Sequence, residues 1–156
     1  MLSEAEKTEI EAELAHYPNR RAAGIEAMKV IQRHRGWVSD ASLLELAEYL
    51  ELPVAELDSV ATFYNLIFRH PVGKHVILMC DSVSCWMLGY PQLREQLSAR
   101  LHIGLGETTE DGCFTLLPIC CLGACERAPV LQVDGELHAG LTSEKLDALL
   151  EHYRRE

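Results

Sequence analysis

A change of sequence pattern begins at the apolar run His75-Val76-Ile77-Leu78-Met79-Cys80. A short, β-prone run without polar alternation is typical of a strand that is buried on both faces of a sheet. The turn residues His70-Pro71-Val72-Gly73 precede it and indicate a domain boundary near residue 70. We therefore expect an α/β domain over residues 71–156 that begins with this strand.

The residues after this strand predict a helix, a second strand, a β-hairpin and a terminal helix. Leucines spaced by four indicate the helix over 91–103, and a β-prone run indicates the strand over 114–117. Asp134-Gly135 lies between two short apolar runs, which is a hairpin signal, and a capped helix begins near residue 142. A strand–helix–strand unit implies parallel strands joined by a right-handed crossover. This order of elements is typical of a thioredoxin-like α/β layer.

Residues 1–70 predict a bundle of short helices. Ser3 and Glu6 form a capping box at the start of the first helix, and Gly36 ends the second. Helices with one apolar face must pack against each other. The predicted inner-face residues are Ile10, Leu14, Ile25, Met28, Ile31, Leu43, Leu44, Ala47, Leu50, Leu57, Val60, Ala61 and Tyr64. The predicted fold class is α+β, with an N-terminal helical bundle over 1–70 followed by a thioredoxin-like α/β domain over 71–156.

The composition indicates a soluble protein with no nucleic-acid partner. Of its 156 residues, 48% are hydrophobic, and a chain of this length buries enough surface for a core without disulfides. A formal net charge of −10 disfavours contact with nucleic-acid phosphates or an anionic membrane surface. The acidic N-terminus lacks the apolar core of a secretory signal, and no run of about 18 apolar residues occurs. We therefore expect a cytoplasmic protein without direct membrane insertion.

The cysteines are clustered in the second half of the chain. Structural disulfides are rare in the cytosol, so clustered cysteines there indicate metal binding or redox chemistry. Cys80 ends the first predicted strand and Cys85 follows it, whereas Cys120, Cys121 and Cys125 follow the second strand. Ligand sites in open α/β sheets form where neighbouring parallel strands end. We therefore expect the two cysteine-bearing loops to meet at one edge of the sheet.

These loops contain what a [2Fe–2S] cluster requires. Four cysteines are its usual ligands, and the oxidised core with four thiolates carries a net charge of about −2. Burial of that charge requires hydrogen-bond donors, which backbone N–H groups near Gly89 and Gly123 can supply. The sixth cysteine, Cys113, precedes the second strand and is expected to be a small buried apolar side chain.

Two other kinds of site match parts of the pattern. The spacings Cys80-x₄-Cys85 and Cys121-x₃-Cys125 fall within the range of zinc knuckles, so spacing alone leaves a zinc site open. A dithiol oxidoreductase normally carries Cys-x-x-Cys, which this chain lacks. Only one of the adjacent residues Cys120 and Cys121 is expected to face a cluster, and spacing does not say which.

Four longer motifs resemble a known family. They are Val60-Ala61-Thr62-Phe63-Tyr64, Pro71-Val72-Gly73-Lys74, Asp81-Ser82-Val83-Ser84 and Leu116-Leu117-Pro118-Ile119-Cys120-Cys121-Leu122-Gly123-Ala124-Cys125. Together they resemble the E subunits of bacterial NADH:quinone oxidoreductase (respiratory complex I), a family of thioredoxin-like [2Fe–2S] ferredoxins, from about residue 20 to the last helix. The ligands of the single [2Fe–2S] cluster that the resemblance implies are Cys80, Cys85, Cys121 and Cys125. It makes Cys120 a non-ligand neighbour and gives Cys113 no role.

The resemblance also implies partners and a location. It implies pairing with the F subunit of complex I, which holds FMN and the NADH site, and with other subunits of the peripheral arm. The chain would then be cytoplasmic and peripheral to the inner membrane. The sequence contains no Gly-x-Gly-x-x-Gly motif after a strand and no Walker A motif, which agrees with a flavin and a nucleotide on the partner. We expect a non-catalytic redox subunit that exchanges single electrons near that FMN.

Two alternatives remain at this point. The equivalent diaphorase subunit of an NAD-linked hydrogenase or formate dehydrogenase shares the cluster motif. A zinc-stabilised interaction module, with no electron transfer, is the alternative from another class. The helices of residues 1–70 carry no chemistry of their own, and we expect them to dock against the flavin-bearing subunit.

Overall fold

Four helices form the first of two units, which covers Met1–Pro71. The structure, a computed structural model, describes all 156 residues. The helices are α1 (Glu4–Leu14), α2 (Gly24–Arg35), α3 (Asp40–Leu50) and α4 (Val54–Phe63). The capping box of Ser3 and Glu6 is confirmed, since each side chain accepts a hydrogen bond from the other residue's backbone N–H. Gly36, at a φ of 81°, ends α2 as predicted.

The core of this unit is formed by the inner faces of the helices, with two corrections to the prediction. Leu43, Leu46 and Leu50 are buried, but Leu44 is 56% exposed because successive residues of a helix are turned by about 100°. Tyr64 is 45% exposed because it follows the last residue of α4 and has an extended backbone, so it lies outside the helical stripe. The other buried residues include Ile10, Ala27, Met28, Ile31, Ala47, Leu57 and Ala61.

A charged network joins three of these helices. Arg35 on α2 donates from Nε and Nη2 to both carboxylate oxygens of Glu6 on α1, at 2.6 and 2.9 Å. The same guanidinium donates to Ser42 and Glu45 on α3, each at 3.0 Å. The hydrogen bonds from Arg35 lower the pKa of Glu6 to about 2, although burial of the carboxylate opposes this shift. The first unit therefore depends on one guanidinium that neutralises a buried carboxylate.

The second unit, Val72–Glu156, contains the sheet. Its strands are β1 (His75–Cys80), β2 (Phe114–Ile119), β3 (Val130–Val133) and β4 (Glu136–Ala139), in the spatial order β2-β1-β3-β4. Its helices are α5 (Val83–Met87), α6 (Tyr90–Leu101) and α7 (Ser143–Arg155), with a 3₁₀ turn at Cys125–Arg127. The predicted mixture of helices and an α/β layer is confirmed, whereas the short helix α5 was not predicted.

The sheet connections agree with the predicted strand–helix–strand unit and hairpin. β1 and β2 are parallel neighbours, paired from His75 with Phe114 to Cys80 with Ile119. β3 runs antiparallel to β1 and to β4, and the hairpin turns at Asp134-Gly135, where both residues have positive φ. That backbone is typical of a type I′ turn. Leucines of α6 and α7 share one core with the strands. None of the seven helices has both the length and the apolar character needed to cross a membrane.

Candidate functional site

The parallel pairing of β1 and β2 brings two loops to one edge of the sheet. The register ends with Cys80 opposite Ile119, and the N–H of Asp81 donates to the carbonyl of Ile119 at 3.0 Å. The loop after β1 leads into α5, which carries Cys85, and the loop after β2 contains residues 120–125. The segments that follow the two strands, with Cys85 on one and three cysteines on the other, therefore leave the sheet side by side, next to Cys80 at the end of β1.

Cys80 and Cys85 form the buried part of the site. Both residues are at most 2% exposed, and each thiol shifts the pKa of the other. Burial opposes a charge on Cys80, but hydrogen bonds from Ser82 and from the Leu122 backbone outweigh it, so the pKa of this thiol is lowered. Burial raises the pKa of Cys85, and the neighbouring Cys80 adds to the rise. The contact with Leu122 shows that the second loop reaches the first.

The second loop supplies the exposed cysteines. Cys120, Cys121 and Cys125 are free thiols on the surface, and Cys125 lies close enough to Cys85 for its charge to raise the pKa of Cys85. Gly123 has a φ of 73°, which favours glycine, and its N–H donates to Sγ of Cys121 at 3.3 Å. The loop therefore supplies an N–H donor to the exposed sulfur of Cys121, and such a donor stabilises the thiolate form.

Cys113 lies apart from this group, in the turn before β2. It is partly buried, and burial together with the charge of Asp111 raises the pKa of its thiol. A raised pKa keeps a thiol protonated and unreactive near neutral pH. Cys113 precedes Phe114, the first residue of β2, so it lies at the opposite end of this strand from the cysteine loops.

The donor set fits a dianionic group bound through thiolates. The N–H of Gly123 donates to Sγ of Cys121, and the backbones of Ser82 and Leu122 lower the pKa of Cys80, as that of Val130 lowers the pKa of Cys85. Donors of this kind stabilise negative charge on sulfur and tune an iron–sulfur centre. No group of three or more His, Cys, Asp or Glu side chains is arranged to hold a single metal ion. A [2Fe–2S] core divides four thiolates between two irons, so each iron needs only two of them.

Helix α5 also presents apolar side chains to the surface beside Cys85. Trp86 is 56% exposed and Met87 is 78% exposed, and the ring of Trp86 stacks on Tyr90 with the centroids 5.5 Å apart. Large exposed apolar side chains that cluster together mark interaction surfaces. The sequence signal for this helix was Ser82 before the mostly apolar residues Val83–Met87, and it was missed because the helix has only five residues.

The fold and the cysteine site together define a class of iron–sulfur proteins. The model of the thioredoxin-like [2Fe–2S] ferredoxin family matches residues 10–154, and the chain belongs to this family. Within it, the chain is 49% identical over 153 residues to the E subunit of the NADH-quinone oxidoreductase of Escherichia coli (strain K12) and 46% identical to that of Pseudomonas aeruginosa. Each alignment covers 98% of this chain and 92% of the relative. The resemblance to the E subunits is therefore confirmed.

A solved structure shows the same fold in a different redox complex. The chain resembles an NAD⁺-reducing [NiFe]-hydrogenase in the H₂-reduced state, with a TM-score of 0.71 and 26% sequence identity. The match covers 83% of this chain but only 22% of the hydrogenase chain, so this chain spans about a fifth of that protein. The thioredoxin-like fold class is confirmed, and the assignment of individual ligands stays a prediction.

Proposed function

We propose that this chain is the [2Fe–2S] electron-transfer subunit of the NADH dehydrogenase module of an NADH:quinone oxidoreductase. The proposed ligands are Cys80, Cys85, Cys121 and Cys125. The observation that carries the proposal is the meeting of the two cysteine loops at one sheet edge, in a chain similar to the E subunits over nearly its whole length. When bound, the cluster supplies a site that accepts and gives up one electron at a time.

The residues of this chain bind and tune that site and perform no acid–base chemistry. The lowered pKa of Cys80 favours the thiolate, which is the form that binds iron. Burial of Cys80 and Cys85 limits access of water, and the N–H donors offset the negative charge. Hydride transfer from NADH involves two electrons, and a flavin converts them into single-electron steps. We therefore place FMN and NADH on a partner, the F subunit, with other peripheral-arm subunits nearby.

Exposed apolar side chains support the proposed contact with a partner. In the helical unit, Phe63 is 80% exposed and lies beside the partly exposed Tyr64 and Leu66 at the end of α4. In the second unit, Trp86 and Met87 lie on the helix that carries Cys85. Apolar surface of this kind suits an obligate interface. As a subunit of this complex, the chain would lie in the cytoplasm, peripheral to the inner membrane.

The alternative diaphorase function is supported by the similarity to the hydrogenase structure. The identity of 26% to that chain is well below the 46–49% identity to the quinone oxidoreductase subunits. The hydrogenase chain is also far longer than this one. Both observations favour the quinone oxidoreductase complex.

Chemical analysis of the purified chain tests the proposed cofactor. Protein purified without oxygen, and reconstituted with iron and sulfide, should contain about two irons and two acid-labile sulfides per chain. It should be red-brown and should lose much of its visible absorption on reduction with dithionite. A colourless protein that binds zinc and contains no inorganic sulfide would refute this function and favour the zinc-stabilised module.

Surface variants test the docking of the helical unit. Truncation of an aromatic anchor that becomes buried at an interface costs more than about 1 kcal/mol, so Phe63→Ser should weaken binding to the flavin-bearing subunit by about tenfold. Deletion of residues 1–70 should weaken it further, because the whole predicted surface is lost. Binding of the purified subunits is measured by calorimetry. The matched control is Leu44→Ser, since Leu44 is also exposed and apolar but lies on α3. Unchanged binding after the deletion would show that this unit does not dock.

A further inference from the structure

The side chain of Ser82 makes an unusual contact for its position. Ser82 is the N-cap of α5 and has the extended backbone that is normal there, with φ −67° and ψ 165°. At such a position a serine hydroxyl usually accepts a hydrogen bond from the backbone N–H two or three residues further on. Ser3, Ser39 and Thr142 do so at their own helices, but Ser82 does not. Its hydroxyl is therefore free to serve another partner.

That partner is the sulfur of Cys80. Oγ of Ser82 lies 3.5 Å from Sγ of Cys80, within hydrogen-bonding distance for sulfur. Cys80 is 2% exposed, so water has little access to its sulfur. A protonated thiol can donate to the serine oxygen, but a thiolate has no hydrogen to give. Once Cys80 binds iron as a thiolate, the hydroxyl must therefore be the donor.

We propose that the hydroxyl of Ser82 is a positioning group that donates to Sγ of Cys80 and raises the reduction potential of the cluster. This inference rests on the proposed function, because it requires Cys80 to be a cluster ligand. Reduction adds one negative charge, part of which resides on the cysteine sulfurs. A hydrogen bond to sulfur stabilises the reduced state more than the oxidised state, since bonds to charged acceptors strengthen with the charge. The low exposure of this sulfur increases the effect.

The test compares potentials of the full-length reconstituted chain and its variants. Ser82→Ala should keep the cluster, as judged by visible absorption and sulfide content, but lower its potential. The expected change is about tenfold in the equilibrium between oxidised and reduced forms, which corresponds to about 59 mV for one electron. Ser82→Thr keeps a hydroxyl and should keep the potential. Ser84→Ala, on the same short helix but not at its N-cap, is the matched control and should also leave the potential unchanged.

Each outcome separates this inference from the proposed function. If Ser82→Ala keeps the cluster and its potential is unchanged, the hydroxyl does not tune the cluster. The proposed function as a [2Fe–2S] subunit is not affected by that result. Ser82→Gly removes the same hydroxyl but keeps a residue that helix N-caps tolerate, so it gives a second measurement if Ser82→Ala does not assemble. If Ser82→Ala and Ser82→Gly both fail to hold a cluster and Ser82→Thr holds one, the hydroxyl is needed for cluster assembly. That result would overturn the proposal that it tunes the potential. Absence of a cluster from the unmodified chain would instead refute the proposed function.

Discussion

Cys121→Ser is expected to lose the [2Fe–2S] cluster or to change it strongly, whereas Cys120→Ser is expected to keep it. The two cysteines are adjacent and both exposed, but Sγ of Cys121 accepts a hydrogen bond from the N–H of Gly123. That N–H is one of the donors that the site directs at sulfur. A serine hydroxyl is a poor substitute for a thiolate, because its proton is far harder to remove and its oxygen is a harder ligand for iron.

Iron and sulfide content and the electron paramagnetic resonance spectrum of the reduced protein measure this difference. The content should fall well below two irons per chain in Cys121→Ser, or the spectrum should shift if the serine oxygen becomes a ligand. Cys120→Ser is the matched control for Cys121→Ser, since it makes the same chemical change one residue away. The opposite result, with loss at residue 120 and retention at residue 121, would move the ligand by one position.

The strands could be predicted from the sequence because their local signals agreed with the fold. The short apolar run of β1 follows turn residues and is typical of a buried strand, and Asp134-Gly135 allows the positive φ values of the turn between β3 and β4. β2 continues past its predicted end through Pro118, because an edge strand has one side on which a proline costs no ladder hydrogen bond.

The details of the cysteine site could not be predicted from spacing. The lowering of the cysteine pKa values by the backbones of Leu122 and Val130 depends on loop conformation, which the residue types of those positions do not indicate. The contact of the Ser82 hydroxyl with Cys80 likewise could not be predicted from the sequence, since a serine at this position predicts an ordinary helix N-cap. The choice between Cys120 and Cys121 came only from family resemblance, and mutagenesis is required to test it.

Arg35→Ala is expected to destabilise the helical unit by about 3 kcal/mol at neutral pH. The variant leaves the carboxylate of Glu6, which is 3% exposed, without its bidentate partner. Removal of one member of a buried pair costs this much because the other charge remains buried without compensation. The lowering of the pKa of Glu6 from 4.5 to about 2 corresponds to a similar free energy. Hydrogen exchange of the α1 and α2 amides reports this local stability.

The pH dependence of the same variant gives a second, independent check. The folded-state pKa of Glu6 is lowered, so the stability it contributes is present above pH 4.5 and is lost as the pH falls towards 2. Arg35→Ala removes the main cause of that shift, and the difference from the unmodified chain should therefore shrink over this range. Arg33→Ala is the matched control, because Arg33 pairs with the exposed Glu9 and its loss should have a much smaller effect. Equal destabilisation by the two variants, or a difference that does not change with pH, would show that the buried carboxylate does not depend on Arg35.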